Sequence, residues 1–143
     1  MKIVFLDFDG VLNSRAFCRA VPQRGIIGLD EVAVQRVRKV CFRTGAKIVI
    51  SSSWRIIHTL EDLQYRLGAL GLPMDWVIGV TPKYLTSRGH EIQSWLDEHP
   101  EVTNFVILDD DSDMAHLMDR LIQTTFEDGL LEKHVKLAVE MLA

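Results

Sequence analysis

The chain has 143 residues, of which 48% are hydrophobic and 25% are charged, and its formal net charge at pH 7 is −4. This length fits one domain covering residues 1–143, and the composition excludes a disordered or collagen-like chain. The acidic balance argues against a protein whose main role is to coat nucleic acid, but it leaves local contacts with nucleic acid open.

The first half of the chain predicts two buried strands, each followed by a helix. Nearly all-apolar runs predict the strands at residues 3–6 and 47–50. Two amphipathic helices have a capping residue before them and a glycine at their end: Asp30 with Gly45, and Thr59 with Gly71. Between the first strand and the first helix, residues 13–28 show no clear period, and we predict a long loop or a small insertion there.

The second half continues the alternation. Apolar runs predict strands at residues 76–78, 105–108 and 121–124. Helices are predicted after the cap Ser87, near 114–118, and over 131–142. Strands that alternate with helices predict an α/β fold with a doubly wound, Rossmann-like parallel sheet of about five strands.

Polar side chains follow three of these strands at their carboxyl ends. Asp7 and Asp9 follow the first strand, serines 51–53 follow the second, and aspartates 109–111 follow the fourth. Ligands of doubly wound sheets bind at this edge. Carboxylates packed this closely repel one another unless a cation lies among them, and a site made only of oxygen ligands indicates Mg²⁺.

These motifs resemble those of a known superfamily. Asp7-Phe8-Asp9-Gly10-Val11-Leu12 is similar to the first motif of the haloacid dehalogenase (HAD) superfamily, whose members are mostly magnesium-dependent phosphatases. The serine after the second strand and Asp109-Asp110 resemble its second and fourth motifs, in the same order. Four shorter segments resemble the HAD-like domain of Swiss-army-knife RNA repair proteins: residues 10–13, 52–55, 88–92 and 107–110.

The resemblance implies a Mg²⁺-dependent phosphomonoester hydrolase. Asp7 is the implied nucleophile, because a carboxylate can attack phosphorus and form an aspartyl-phosphate. Asp9 is implied to protonate the leaving oxygen and then to activate water. The implied metal ligands are Asp7, the main-chain carbonyl of Asp9, Asp109 and Asp110.

Two further catalytic roles each have two candidates. The hydroxyl that binds phosphate oxygens is that of Ser51, which strand geometry favours, or that of Ser52, and Ser53 is expected to cap the next segment. The basic residue is Lys83, in a loop at the correct strand end, or Arg88, at a helix start where main-chain N–H groups also favour anions. The Arg-Gly-x-Glu-Ile resemblance favours Arg88.

Four other residues near the motifs have less specific predictions. Gly10, Asn13 and Arg55 are expected to contact substrate, although Arg55 is equally suited to bind an internal carboxylate. Asp113 is suited either to hold a metal-bound water or to cap the next helix.

The spacing of the motifs also predicts an open site. The intervals 13–28 and 56–75 are too short for a folded cap domain, and open sites suit macromolecular ends. Three basic residues in the first interval are placed to meet a phosphodiester backbone: Arg15, Arg19 and Arg24. The expected partner is therefore a phosphorylated nucleic-acid end or nucleotide. The alternatives are a small-metabolite phosphatase and a non-catalytic phospho-acceptor or binding module.

The remaining expectations concern location and assembly. Charges at Asp7 and Asp9 interrupt the apolar amino terminus, which argues against export. Cys18 and Cys41 are expected to be reduced thiols, as in a cytoplasmic protein. We expect no membrane contact and no obligate protein partner.

Overall fold

A computed structural model describes residues 1–22, 28–83 and 86–143. Its five strands are β1 (Lys2–Leu6), β2 (Lys47–Ile50), β3 (Val77–Val80), β4 (Asn104–Asp109) and β5 (Leu121–Gln123). They form one sheet in the order β3-β2-β1-β4-β5, and every neighbouring pair is parallel. The predicted doubly wound α/β sheet is confirmed, with β1 at its centre.

Helices cover both faces of the sheet. They are α1 (Arg15–Ala20), α2 (Glu31–Thr44), α3 (Leu60–Gly68), α4 (Arg88–Asp97) and α5 (Glu132–Met141). Short 3₁₀ segments lie at Ser53–Ile56, Met74–Trp76 and Ala115–Arg120, and the last of these covers the helix predicted near 114–118. Buried residues of α2, α3 and α5 share one core, whereas α4 packs on the opposite face with Phe5 and Ile107. This two-sided cover explains the nearly all-apolar strands.

The predicted helix starts are confirmed by their hydrogen bonds. The side chain of Asp30 accepts from the N–H of Val32, and that of Thr59 accepts from Asp62. Ser87 accepts from the N–H of His90 at the start of α4. Each bond satisfies a donor that the first turn of a helix leaves without a partner.

The interval 13–28, predicted to be a loop or small insertion, contains the short helix α1. Ser14 caps it, because its side chain accepts from the N–H of Phe17. None of the residues of α1 is buried, so the helix has no apolar stripe that a periodic pattern could reveal.

The third strand is shifted relative to its prediction at 76–78. The N–H of Trp76 donates to the carbonyl of Pro73 at 3.1 Å, which closes the 3₁₀ segment and keeps Trp76 out of the sheet. The strand therefore begins one residue later, at Val77.

None of the helices within residues 1–22, 28–83 and 86–143 combines the length and the apolar character that crossing a membrane requires.

Candidate active site

The ends of three neighbouring strands bring Asp7, Ser51 and Asp109 into one row. The N–H of Asp7 donates to the carbonyl of Leu108 in β4 at 3.0 Å, and the N–H of Ser51 donates to the carbonyl of Leu6 in β1 at 2.9 Å. The chain leaves β1 toward β2 on one side, while β4 lies on the other side. This is the switch point at which doubly wound sheets open a crevice for ligands.

Three carboxylates converge at this switch point. Asp7, Asp109 and Asp110 each place an oxygen within 4.8 Å of the others. Asp7 and Asp109 are buried, and Asp110 is partly exposed. Gly10 makes room for them: its φ is +80°, and a Cβ there would lie 2.3 Å from Oδ2 of Asp110. Gly10 was expected to contact substrate, and the structure shows that it permits the close approach of Asp110.

Arg88 is the cation of this cluster. Its Nη1 lies 3.1 Å from Oδ1 of Asp7 and 2.8 Å from Oδ2 of Asp109. Lys83, the other candidate, forms no ion pair with any carboxylate in the described ranges, and it lines a groove with Ile56 and Ile57. The geometry therefore favours Arg88 as the basic residue.

The pKa values of the cluster reflect burial and the repulsion between neighbouring carboxylates. Burial and the neighbouring Asp109 raise the pKa of Asp7 to about 8, although Arg88 partly offsets them. Burial and Asp109 also raise the pKa of Asp110. Burial alone would lower the pKa of Arg88, but the charges of Asp7 and Asp109 raise it above its usual range. One guanidinium does not balance three carboxylates, so the cluster favours an additional proton or cation.

Helix α4 is held in place by the segment after β4. The N–H of Arg88 donates to Oδ2 of Asp113 at 3.3 Å, and the N–H of Gly89 donates to the carbonyl of Asp113 at 3.0 Å. A Cβ on Gly89 would lie 2.1 Å from the carbonyl oxygen of Met114, so only glycine allows this approach. Asp113, for which two roles were open, contacts the first turn of α4 and helps to place Arg88.

The two candidate serines differ in what their hydroxyls contact. Ser52 Oγ accepts from the N–H of Trp54, so Ser52, and not Ser53 as predicted, caps the 3₁₀ segment after β2. Ser51 is fully buried, and its Oγ has no hydrogen-bond partner among the described residues. Because a buried hydroxyl without a partner is costly, Ser51 is the better candidate to bind a phosphate oxygen. Thr81, at the end of β3, carries a second such hydroxyl that the sequence did not reveal.

Asp9 lies at the rim of the cluster and is held by two N–H donors. Nδ2 of Asn13 donates to Oδ1 of Asp9 at 2.9 Å, and Nε1 of Trp54 lies 3.1 Å from Oδ1 and 3.2 Å from Oδ2. Asn13, expected to contact substrate, also accepts from the N–H of Gly10 through its side chain at 3.2 Å. Asn13 thus stabilises the turn that carries Asp9.

The model of one protein family matches most of the chain. The HAD domain in Swiss Army Knife RNA repair proteins matches residues 3–135. The chain belongs to this family. A search of curated proteins found no match, and neither did a search of solved structures. Family membership, together with the acidic cluster, indicates a HAD-type hydrolase.

In this HAD domain Arg55 has an internal role. Its side chain is buried and its Nη2 lies 2.9 Å from Oε2 of Glu91. Its remaining donors contact main-chain carbonyls of four residues: Ser51, Ser52, Thr81 and Pro82. The expectation that Arg55 contacts substrate is therefore corrected, because its N–H groups already have partners that join the ends of β2 and β3 to α4.

Two of the three arginines before α2, Arg15 and Arg19, form ion pairs. Nη1 of Arg19 lies 2.7 Å from Oε1 of Glu127, and Nη1 of Arg15 lies 3.7 Å from Oε2 of the same residue. Arg15 also lies over the ring of Phe126 at 5.7 Å. Arg24 lies outside the described residues. Glu127 thus reduces the positive charge that this side of the HAD domain offers to a nucleic acid.

The carboxylate cluster fits a hard divalent cation. All its donors are oxygens, as Mg²⁺ prefers, and their burial makes uncompensated negative charge costly. Asp7, Asp109 and Asp110 are the residues that would hold the ion. The side chain of Asp9 lies outside this set, which leaves its main-chain carbonyl as the ligand that the superfamily resemblance implies.

Proposed function

We propose that this HAD domain is a Mg²⁺-dependent phosphomonoester hydrolase that acts through Asp7. One observation carries the proposal: Asp7 is buried at the switch point of the sheet, in contact with Arg88 and beside Asp109 and Asp110. A carboxylate placed next to a fixed cation and a prospective metal site can approach a phosphate that would otherwise repel it.

The reaction would proceed in two displacements. In the first, an oxygen of Asp7 attacks phosphorus, the ester P–O bond breaks, and the leaving oxygen takes a proton from Asp9. In the second, Asp9 takes a proton from water, the water oxygen attacks phosphorus, the bond between phosphorus and the Asp7 oxygen breaks, and inorganic phosphate is released. Arg88 and the hydroxyl of Ser51 would bind the phosphoryl oxygens in both steps.

The bound metal would supply positive charge that offsets the carboxylates and the phosphoryl group. Hydrogen bonds within the chain hold the reacting groups in place. The carbonyl of Gly10 accepts from Oγ1 of Thr124 at 2.6 Å, which fixes the loop after Asp9 to the end of β5. Such a rigid frame favours catalysis, because the reacting groups need little rearrangement.

The test is hydrolysis of a generic aryl phosphate with and without Mg²⁺. Asp7→Asn should lower kcat by at least about 1,000-fold, since an amide is a poor nucleophile. Asp75→Asn, which changes an exposed aspartate before β3, is the matched control and should keep the wild-type rate. Full turnover in excess chelator, or in Asp7→Asn, would exclude this mechanism.

We further propose that the substrate is a phosphorylated nucleic-acid end. The family description names RNA repair, and no cap domain stands between β1 and α2 among the described residues, where only α1 occurs. An uncapped site admits a long substrate, whereas a cap commonly encloses small ones. A small-metabolite phosphatase would instead prefer a free metabolite phosphate.

A further inference from the structure

The Asp9 carboxylate is oriented by a residue from outside its own loop. Among the described residues, its two side-chain donors are Asn13, four residues away in the same turn, and Trp54, 45 residues away in the segment after β2. We propose that Trp54 is a positioning residue that aims Asp9 at the leaving oxygen of the substrate. This inference rests on the phosphatase function proposed above.

The indole of Trp54 is itself fixed on several sides. The ring of Phe8 lies at a centroid distance of 5.2 Å and an angle of 62°, and the ring of His58 lies at 5.6 Å. The guanidinium carbon of Arg66 lies 6.0 Å from the indole centroid. The main-chain N–H of Trp54 donates to Oγ of Ser52. A side chain held in this way presents its N–H in one direction, and a positioning residue requires this property.

The contacts distinguish the two oxygens of Asp9. Oδ1 accepts from both Asn13 and Trp54, whereas Oδ2 accepts only from Trp54 among the described residues. Oδ2 therefore has more remaining capacity to accept a hydrogen bond. We assign Oδ2 as the oxygen that exchanges the proton with the leaving group and with water.

The hydrogen bond also couples two parts of the site. Asp9 belongs to the loop after β1, and Trp54 follows Ser51 and Ser52 at the end of β2. Loss of the indole N–H would leave Asn13 as the remaining side-chain donor to Asp9 among the described residues. The carboxylate could then rotate about its side-chain bonds although its loop is fixed. Proton transfer would suffer, because catalysis falls steeply when a reacting group is displaced by about 1 Å. Phosphate binding at Ser51 and Arg88 would be unaffected.

The test compares two leaving groups in Trp54→Phe, which keeps an aromatic ring and removes the N–H. An alkyl phosphate needs a proton on its leaving oxygen, whereas 4-nitrophenyl phosphate leaves readily without one. We expect kcat/KM, which reports the steps up to departure of the leaving group, to fall about 100-fold for the alkyl phosphate, within the range of general acid catalysis, and less than about threefold for the nitrophenyl ester. Because Asp9 also activates water in the second displacement, kcat should fall for both esters.

Trp76→Phe is the matched control, because Trp76 packs against the same core and directly precedes β3, at the edge of the parallel sheet opposite the site. It should leave both rates unchanged. Asp9→Asn should show the same selectivity for leaving group as Trp54→Phe, and the double variant should lose little more than Asp9→Asn alone. Equal losses of kcat/KM on both substrates in Trp54→Phe would overturn the proposal and leave a structural role for the indole.

A second readout does not depend on activity. In metal-free protein, the changes in Tm caused by Trp54→Phe and Asp9→Ala should be non-additive, since each removes the same hydrogen bond. Additive changes in Tm would overturn the proposal. If the wild-type protein hydrolyses neither ester, the phosphatase function fails, whereas the Tm measurements still report whether Trp54 holds Asp9.

Discussion

Arg88 and Asp109 form an ion pair 2.8 Å long between the first residue of α4 and the last residue of β4. The same Nη1 contacts Asp7 at 3.1 Å, so one nitrogen bridges the proposed nucleophile and a proposed metal ligand. The guanidinium offsets part of the repulsion between the two carboxylates and leaves its other nitrogens to bind phosphoryl oxygens.

This bridge predicts a strong effect of Arg88→Ala on turnover. We expect kcat/KM for an aryl phosphate to fall about 100-fold, which corresponds to roughly 2.7 kcal/mol of lost transition-state stabilisation. Arg88→Lys should recover part of the rate, because a single nitrogen makes both contacts. Lys83→Ala should have little effect. A larger loss in Lys83→Ala than in Arg88→Ala would reverse the assignment of the basic residue.

The raised pKa of Asp7 predicts that the metal-free protein becomes less stable as pH rises. In the folded state the carboxyl group of Asp7 has a pKa of about 8, whereas its ordinary pKa is 3.8. Between these values the folded state binds more protons than the unfolded state, so the free energy of unfolding falls with pH. Thermal melts from pH 4 to 8 should show this decline, and Asp7→Asn should flatten it. A wild-type curve that rises over the same interval would contradict the prediction.

Asp110→Asn should weaken Mg²⁺ binding and raise Tm in metal-free buffer. The pKa of Asp110 is raised by burial and by Asp109, so removal of its charge relieves repulsion while no cation is present. Isothermal titration with Mg²⁺ would measure affinity, and the control Asp75→Asn should match the wild-type protein. Unchanged affinity in Asp110→Asn would place the ligand elsewhere.

Gly10→Ala should disturb the carboxylate cluster more than a comparable glycine substitution elsewhere. Gly10 has φ +80° and no room for a Cβ beside Asp110, whereas Gly45 has φ +75° and open space around it. Gly45→Ala therefore measures backbone strain alone, about 1 kcal/mol. We expect Gly10→Ala to cost an additional ~1–3 kcal/mol from overpacking and to weaken Mg²⁺ binding. Equal unfolding free energies in denaturant titrations of the two variants would refute this.

The proposed nucleic-acid substrate predicts a dependence on salt. The kcat/KM for a 3′-phosphorylated oligonucleotide should exceed that for the matching 3′-mononucleotide at about 50 mM salt, and the advantage should shrink at about 200 mM. Glu127→Gln should increase the advantage, because it releases Arg15 and Arg19 from their ion pairs. Equal values for both substrates at low salt would discard nucleic-acid ends as the preferred substrate.

The sequence by itself determined the order and the type of the main elements. Asp30, Thr59 and Ser87 cap helices through bonds to residues two or three positions away. Apolar runs identified the buried strands because both faces of the sheet are covered. These signals are local, so they can be read without the fold. The short helix α1 was missed because it buries no residue, and β3 was displaced because the turn ending at Trp76 interrupts the apolar run.

Only the tertiary structure decided which polar residues act together. Arg88 and Lys83 are both cations near strand ends, and the ion pairs of Arg88 with Asp7 and Asp109 distinguish them. The tertiary structure also placed Arg55 against Glu91 and the indole of Trp54 against Asp9. These contacts join residues that lie at least 21 positions apart in the sequence. Their geometry depends on how the strands are ordered and how α4 is packed. The spacing of a motif encodes neither, so these contacts could not be predicted from the sequence.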